Sequence, residues 1–204
     1  MKYLAIDTSG EHLTVIAEND GKTKIIYEDD CAVKHSVRLM PAVEDALIET
    51  GLNLKDADFI ACVTGAGSFT GIRIGVSTVK ALCYSNGVPF LSITSFDTLA
   101  YNKERGKILA LIDAKHGNYY ACGYTDKVVT IDPVFLNTSE VNELLKSYQA
   151  VGYFAEVPFE KVDRVKGFIN AITEKANETQ TDLNLLEPLY CKKSQAEEEN
   201  DKKI

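Results

Sequence analysis

A glycine-rich stretch is the part of this sequence whose residue types and spacing most directly suggest chemistry. Residues 64–75 read TGAGSFTGIRIG and place four glycines within eleven residues. The stretch follows the apolar run Phe59–Val63 and precedes a helical pattern, so it predicts a turn between a strand and a helix. Such a turn presents unpaired backbone N–H groups at the positive end of a helix, which suits a phosphate or another anion.

Known phosphate-binding and catalytic motifs do not fit this turn. A P-loop needs a lysine after its last glycine, but Ile72 follows Gly71. A dinucleotide-binding turn needs a third glycine where Thr70 stands, and a nucleophile elbow needs glycines two residues to either side of Ser68. Gly71 and Gly75 share one face of the predicted helix, where missing side chains let another backbone approach. The residues alone leave three alternatives: close helix packing, phosphate binding and chance.

A second candidate for phosphate chemistry lies near the amino terminus. Asp7-Thr8-Ser9 lies between two predicted strands. This arrangement resembles the first phosphate loop of actin-like ATPases, which use an aspartate near the metal and small hydroxyls near the phosphates. Such an ATPase also needs a late glycine-rich segment for the adenosine, yet only two isolated glycines follow Gly123. We therefore expect a vestigial phosphate loop at Asp7, Thr8 and Ser9, without independent nucleotide hydrolysis.

The histidines do not form a metal-binding pattern. His12, His35 and His116 are far apart in sequence, and Leu39 stands where a second histidine would complete a helical pair with His35. Arg73, in the first turn of the predicted helix, is equally consistent with an anion site, a partner carboxylate and plain exposure. We expect no metal site in this chain.

Composition places the chain among acidic globular proteins. Its 204 residues carry a formal charge of −8 and no cluster of Lys and Arg, which argues against direct binding of nucleic acid. The five cysteines show no CxxC spacing and fit reduced, buried thiols. No apolar run nears the roughly 18 residues that span a membrane, and the first residues reach a charge too early for a signal peptide. We expect a cytoplasmic protein with no membrane partner.

Strands and helices alternate in the first half of the chain. The predicted strands are Tyr3–Ile6, His12–Glu18, Lys24–Glu28, Phe59–Thr64 and Phe90–Thr94, and the predicted helices are Ser36–Thr50, Gly71–Asn86 and Phe96–Tyr101. Pro41 implies that the first helix is kinked or begins later. Ser95 is the predicted cap of the short third helix, and Gly51 ends the first.

The opening motif recurs after about half the chain. Residues 107–113 read KILALID and resemble KYLAID at 2–7, and a polar turn and a second strand follow each. Internal duplication explains this repeat, although any α/β protein offers two such strands. We predict a first lobe at 1–103, a smaller second lobe at 104–195 and a frayed polar tail at 196–204. The elements predicted for the second half are a strand at Val128–Ile131, a helix at Ser139–Leu145 capped by Ser139, and a helix at Val162–Glu178.

Five segments of the chain follow the order of one known family. They are LAIDTS at 4–9, HSVRLMP at 35–41, GAGSFTGIRIG at 65–75, IDAKHGNYY at 112–120 and PLYCKKSQAE at 188–197. Together they resemble the TsaB (YeaZ) proteins of bacterial tRNA threonylcarbamoyladenosine biosynthesis, whose signature is GPGSFTGLRIG. Ala66 replaces the proline of that signature, and Lys115 replaces an arginine. The glycine-rich motif is specific by itself. Each of the other four segments is weak evidence alone, but together, in the same order as in the family, they support the resemblance strongly.

The resemblance implies an actin-like (ribonuclease H-like) α/β fold, duplicated into two lobes that each have a mixed β-sheet and flanking helices. It also implies a non-catalytic subunit, a pseudo-enzyme, that binds and stabilises the related enzyme TsaD, with the ATPase TsaE as third component. TsaD transfers threonylcarbamoyl to adenosine-37 of tRNAs that read codons beginning with A. ATP and metal are expected on TsaD, so this chain would carry no cofactor and would meet tRNA only indirectly.

The resemblance also implies where partners bind. It assigns the TsaD surface to the predicted helices Ser36–Thr50 and Gly71–Asn86, and the same surface would support a homodimer when the chain is alone. The residues expected at this interface are Leu39, Val43, Leu47, Gly71, Ile72, Arg73, Gly75, Val76 and Val79. Two other functions stay open: a metallopeptidase-like (glycoprotease) enzyme and a small actin-like ATPase or kinase.

Overall fold

Two five-stranded mixed sheets form the framework of the described chain. The structure is a computed structural model that describes residues 1–152 and 157–192. The first sheet contains β1 (Lys2–Asp7), β2 (Leu13–Asn19), β3 (Lys22–Glu28), β4 (Phe59–Val63) and β5 (Phe90–Ile93) in the spatial order β3-β2-β1-β4-β5. The second contains β6 (Lys107–Asp113), β7 (Asn118–Thr125), β8 (Val128–Asn137), β9 (Gln149–Gly152) and β10 (Glu160–Lys161) in the order β10-β9-β6-β7-β8.

The two sheets share one topology. In each, the first strand lies at the centre, pairs antiparallel with the second strand and pairs in parallel with the fourth. The third strand extends the antiparallel side, and the fifth extends the parallel side. Asp7 and Asp113 end the equivalent strands β1 and β6. The predicted duplication is therefore confirmed, and the fold is the actin-like (ribonuclease H-like) α/β fold with two lobes.

Helices cover the outer faces of the sheets and fill the space between them. They are α1 (His35–Thr50), α2 (Phe69–Asn86), α3 (Ser95–Ala100), α4 (Thr138–Leu144) and α5 (Arg164–Lys175). The helices α1 and α2 pack on one face of the first sheet, and α4 packs on the second sheet. Both α3 and α5 contribute apolar side chains to a core that also contains residues of both sheets. This shared core joins the two lobes.

The predicted elements of the first half are confirmed, with ends within two residues of those observed. The helix α1 begins at His35 with Pro41 inside it, so the later start is wrong. Pro41 cannot donate to the carbonyl of Val37, but both residues are exposed, so water can satisfy that carbonyl. Gly51 ends α1 in the left-handed conformation at φ 69°, as expected for a glycine cap.

Two predicted helix caps are wrong by one or two residues. Thr94, not Ser95, caps α3, because its hydroxyl accepts from the N–H of Asp97 while the Asp97 carboxylate accepts from the N–H of Thr94. Asn137, not Ser139, caps α4 and forms the same reciprocal pair with Glu140. In each case a carboxylate three residues after the cap completes the capping box.

The second half departs further from the prediction. The strand β8 continues to Asn137 rather than ending at Ile131, because an edge strand tolerates Pro133. The long helix predicted at Val162–Glu178 is α5, capped by Asp163, followed by a 3₁₀ turn. No helix in the described ranges is both long enough and apolar enough to cross a bilayer.

The last described segment returns to the first lobe. Gln180 pairs with Phe90 at the edge of β5, and the N–H of Leu189 donates to the carbonyl of Thr64 at 2.8 Å. The boundary near residue 103 stays a prediction. The predicted polar tail at 196–204 and the last three residues assigned to the second lobe, 193–195, lie outside the described residues.

Candidate functional site

The glycine-rich turn packs on the loop that follows β1 and hydrogen bonds to it. We call this loop the first loop. Thr8 and Ser9 are buried. The Thr8 hydroxyl donates to the carbonyl of Gly71 at 2.7 Å, and the Ser68 N–H donates to the carbonyl of Ser9 at 2.7 Å. The two predicted phosphate-binding segments therefore bind each other.

The glycines of the turn make this contact possible. A β-carbon at Gly71 would collide with the carbonyl oxygen of Thr8, and one at Gly67 would collide with that of Ser9. A β-carbon at Gly75 would lie 2.5 Å from Thr8 Oγ1. This corrects our interpretation that Gly71 and Gly75 make room for another subunit, because the atoms nearest to both positions belong to Thr8 of the same chain.

Asp7 is the buried carboxylate at the centre of the loop. Its Oδ1 accepts from the Ser9 N–H at 2.8 Å and from the Ser9 hydroxyl at 2.7 Å. Its Oδ2 lies 2.9 Å from Nε2 of His12. Burial alone would raise the pKa of Asp7, but the interaction with His12 and the hydrogen bonds from Ser9 outweigh burial and lower it to about 2. Asp7 is therefore ionised at neutral pH.

His12 and Arg164 are the site residues that sequence reasoning missed. His12 is buried, and its Nδ1 lies 2.5 Å from Nη1 of Arg164, the first residue of α5. The ring also stacks on Tyr27 with centroids 5.8 Å apart. Arg164 is 152 residues away in sequence, so no spacing pattern could reveal it. The position of His12 five residues after Asp7, in the same loop, was the one available signal.

Further hydrogen bonds tie this cluster to its surroundings. The Ser95 hydroxyl, at the start of α3, donates to the Ser9 hydroxyl at 2.9 Å. His35 is buried at the start of α1, where its Nε2 donates to the carbonyl of His12 at 2.9 Å. The carboxylate of Asp7 and the hydroxyls of Thr8 and Ser9 are thus all engaged within the chain. A metal ion or a phosphate could reach them only by displacing these bonds.

The structure places most of the predicted interface residues inside the first lobe. Leu39, Val43, Ile72, Val76 and Val79 are buried against the first sheet. Leu47 is half-buried and packs on the same core. The reason is that the apolar stripe of each amphipathic helix covers its own sheet. Gly71 and Gly75 are buried as well.

Arg73 is the exposed member of that set. Its Nε donates to the Tyr190 hydroxyl at 2.8 Å, and its guanidinium lies over the stacked rings of Phe69 and Tyr190. The contact fixes the last described segment of the chain to the start of α2. Arg73 therefore already has partners within the chain.

The solvent-facing side of α1 and α2 carries a different set of apolar residues. Val37 and Ile48 are each 71% exposed, Met40 is 49% exposed and Tyr84 is 83% exposed. Together with the exposed Ala81 of α2, we call them the α1–α2 outer face. Exposed large apolar side chains are typical of protein-binding sites where they form a continuous surface.

Within the described residues, no group of three or more His, Cys, Asp or Glu side chains is arranged to hold a metal ion. The metallopeptidase alternative would need such a group. That this chain lacks a metal and a cofactor of its own stays a prediction.

Comparison with known proteins decides the family. Residues 26–164, more than half of the chain, match the family model described as TsaD: tRNA N6-adenosine threonylcarbamoyltransferase. The tRNA threonylcarbamoyladenosine biosynthesis proteins TsaB of Escherichia coli K12 and Bacillus subtilis 168 are 35% identical over 128 residues and 36% identical over 129 residues. The chain belongs to the TsaB/YeaZ family.

The match to the curated TsaB proteins is partial in length. It covers 61% of this chain and 55% of the Escherichia coli protein, and 62% and 56% for the Bacillus subtilis protein. The chain thus spans about half the length of the curated relatives it matches.

Solved structures of YeaZ proteins extend the likeness to nearly the whole fold. YeaZ from Pseudomonas aeruginosa is 23% identical, with a TM-score of 0.74 over 93% of this chain and 99% of that chain. A second structure, described as an uncharacterized protein with similarity to peptidase YEAZ from Pseudomonas aeruginosa, is 22% identical, with a TM-score of 0.75 over 94% and 99%. These structures share the two-lobe fold of the TsaB/YeaZ family.

Proposed function

We propose that this chain is a non-catalytic scaffold subunit in tRNA threonylcarbamoyladenosine biosynthesis, where it binds and stabilises a TsaD-like enzyme. Membership of the TsaB/YeaZ family and the similarity to the TsaB proteins of Escherichia coli and Bacillus subtilis support the role in this biosynthesis. The observation that carries the non-catalytic role is the closed first loop, in which Asp7, Thr8 and Ser9 bond to His12, Gly71 and Ser68.

The closed loop also weighs against an actin-like ATPase or kinase. Such an enzyme needs the aspartate free to approach a metal ion and the small hydroxyls free to approach phosphates. Here the Thr8 hydroxyl donates to Gly71, and the backbone at Gly67 and Ser68 packs on Ser9. ATP and the metal are accordingly assigned to the TsaD-like partner. A TsaE-like ATPase completes the proposed assembly, and tRNA contact is indirect.

The α1–α2 outer face is the proposed docking surface for the TsaD-like subunit. It exposes apolar side chains on two adjacent helices, with Tyr84 as the large aromatic residue that could anchor a partner. Exposed Glu44 and Asp45 lie on α1 beside it, so a partner with basic residues around an apolar centre would fit. When the chain is alone, the same face would hold a second copy.

Binding measurements with the cognate TsaD test this proposal. Tyr84→Ala and Ile48→Asp should each weaken binding about tenfold or more, because they remove or charge the centre of the face. Both side chains are exposed, so thermal unfolding should stay close to wild type. Val128→Asp, a substitution of an exposed apolar residue on β8, is the matched control and should bind normally. Normal binding by both helix variants would refute the placement of the surface.

The rival functions have their own tests. Tight binding of ATP to the isolated chain in calorimetry would favour the ATPase alternative over a scaffold. Stoichiometric zinc or iron together with peptidase activity would favour the metallopeptidase alternative. The scaffold proposal expects neither result.

A further inference from the structure

A buried histidine connects the first loop to the helix that begins in the second half of the chain. His12 precedes β2, and Arg164 begins α5, whose apolar face lies in the core shared by the two lobes. Nδ1 of His12 is 2.5 Å from Nη1 of Arg164, and Nε2 is 2.9 Å from Oδ2 of Asp7. The ring is therefore bonded on both sides.

The chemistry of the two neighbours fixes the proton on the ring. A guanidinium can only donate hydrogen bonds, so Nδ1 must accept from Arg164. A carboxylate can only accept, so Nε2 must carry the proton and donate to Asp7. These two bonds together require a neutral imidazole with its hydrogen on Nε2. A second proton on Nδ1 would face the N–H groups of Arg164 and place two positive charges side by side.

The other groups around His12 keep their charge when the ring titrates. Asp7 stays ionised because its pKa is lowered to about 2. Tyr27, stacked on the ring from β3, stays neutral, because burial and its hydrogen bond to Asp29 raise its pKa to about 12. His35, at the start of α1, faces His12 through the bond from its Nε2 to the carbonyl of His12. Imidazole is the side chain whose ordinary titration range lies between about pH 5 and 8.

The Arg164 contact also covers the first loop. A β-carbon at Gly10 would lie 2.7 Å from Nδ1 of His12 and 2.9 Å from Nη1 of Arg164. The guanidinium thus packs directly on the backbone of the loop that contains Ser9 and Gly10. Loss of the contact would uncover this backbone.

We propose that His12 is a proton-sensitive contact between the lobes. The neutral ring holds Arg164, and with it the start of α5, against the first loop. Protonation at Nδ1 breaks the bond to Arg164, while the imidazolium that forms stays paired with the Asp7 carboxylate. Acidification therefore exchanges an inter-lobe contact for an ion pair within the first lobe.

The full-length wild-type chain provides the first test, which needs no substitution. Nitrogen NMR of the His12 ring near pH 8 should show hydrogen on Nε2 and none on Nδ1. Corrected exchange of the Ser9, Lys166 and Gly167 amides, which donate within the chain, should be about tenfold faster near pH 5 than near pH 7.5. A hydrogen on Nδ1 near pH 8, or protection that does not change with pH, would overturn the proposal.

Three variants distinguish loss of the His12–Arg164 contact from a general destabilisation of the protein at acid pH. His12→Gln keeps one acceptor and one donor but does not titrate, so its protection should stay high at both pH values. In Arg164→Ala, these amides should exchange fast at both pH values. Lys166→Ala, an exposed position in the same helix, is the matched control and should behave as wild type. Wild-type protection in Arg164→Ala, or a wild-type pH response in His12→Gln, would also overturn the proposal.

Discussion

The Oγ1 atom of Thr8 lies 2.5 Å from the position that a β-carbon at Gly75 would occupy. The carbonyl oxygen of the same residue lies 2.0 Å from the position that a β-carbon at Gly71 would occupy. Thr8 therefore requires glycine at two positions of α2. Its side-chain hydroxyl excludes a β-carbon at Gly75, and its backbone carbonyl excludes one at Gly71.

This difference predicts different rescue of two glycine substitutions. Gly71→Ala and Gly75→Ala should each lower the free energy of unfolding by about 1–3 kcal/mol, since crowding outweighs the gain of about 1 kcal/mol in helix propensity. In a Thr8→Ala background, Gly75→Ala should become nearly neutral because the colliding atom is gone. Gly71→Ala should stay destabilising because the Thr8 carbonyl remains.

Urea unfolding of the three single variants and the two double variants measures these energies. Equal rescue of both glycine variants by Thr8→Ala would contradict the assignment of one clash to the side chain and the other to the backbone.

Asp7 should make the stability of the protein depend on pH in the acid range. Its pKa is lowered to about 2 in the folded chain, against about 3.9 when unfolded. A lowered pKa contributes stability above the unfolded value, and that stability is lost as pH falls through the folded value. The contribution is about 2 kcal/mol, lost between about pH 5 and pH 2.

Denaturant unfolding at several pH values tests this prediction. Asp7→Asn should be less stable than wild type near pH 7 and should show a shallower decline with acid. Asp20→Asn removes an exposed carboxylate paired with the amino terminus, and should leave stability close to wild type. An acid decline in Asp7→Asn as steep as in wild type would rule out Asp7 as its source.

Lys175 supports a buried carboxylate in the core shared by the lobes. Its Nζ donates to Asp97 Oδ2 at 3.0 Å, while the Tyr124 hydroxyl donates to Oδ1 at 2.9 Å. Lys175→Met should lower the free energy of unfolding by about 2 kcal/mol, because it leaves the buried Asp97 charge with less compensation.

A surface ion pair gives the matched control for Lys175. Lys146 pairs with Glu143 on the exposed side of the chain, and Lys146→Met should cost about 0.5 kcal/mol or less. Thermal and urea unfolding compare the two variants. Similar losses of unfolding free energy in the two variants would mean that the burial of Asp97 does not strengthen its interaction with Lys175.

Cys191 should be the first thiol to react in the folded protein. Cys31, Cys62, Cys83 and Cys122 are buried, whereas Cys191 is half-exposed. Burial raises the pKa of Cys191 to about 11, so its thiolate fraction near pH 8 is roughly 100-fold below that of a free cysteine. Labelling with a disulfide reagent should be slow and should accelerate about tenfold per pH unit.

The Cys191→Ser variant identifies the reacting group. It should remove the labelling seen in the native protein and leave four thiols that react in urea. Fast native labelling of this variant would show that one of the other thiols is accessible.

The sequence predicted the course of the first half well because local patterns control it. Apolar runs marked β1 and β4, and Gly51 ended α1 as a left-handed cap. The capping errors at Thr94 and Asn137 arose because Ser95 and Ser139 are equally good caps by residue type. The position of the carboxylate three residues later decided between them.

The candidate site was predictable only in part. Asp7, Thr8 and Ser9 were found because they follow a strand directly. The contact of His12 with Arg164 depends on how α5 crosses the first lobe, which no local pattern encodes. Most of the residues predicted at the interface are buried in the first lobe, because an apolar stripe marks the buried face of a helix, whichever surface buries it. Leu39 and Val76 pack against the first sheet, and their positions show which side of α1 and α2 faces outward.

The return of the last described segment to the first lobe has a consequence for the order of folding during synthesis. Gln180 pairs with the edge of β5, and Leu189 bonds to Thr64 beside the glycine-rich turn. The ribosome makes these residues long after it has made the strands that they join. The first lobe is therefore complete only when the residues up to Leu189 have emerged, and a nascent chain that stops after the first lobe leaves that edge uncovered.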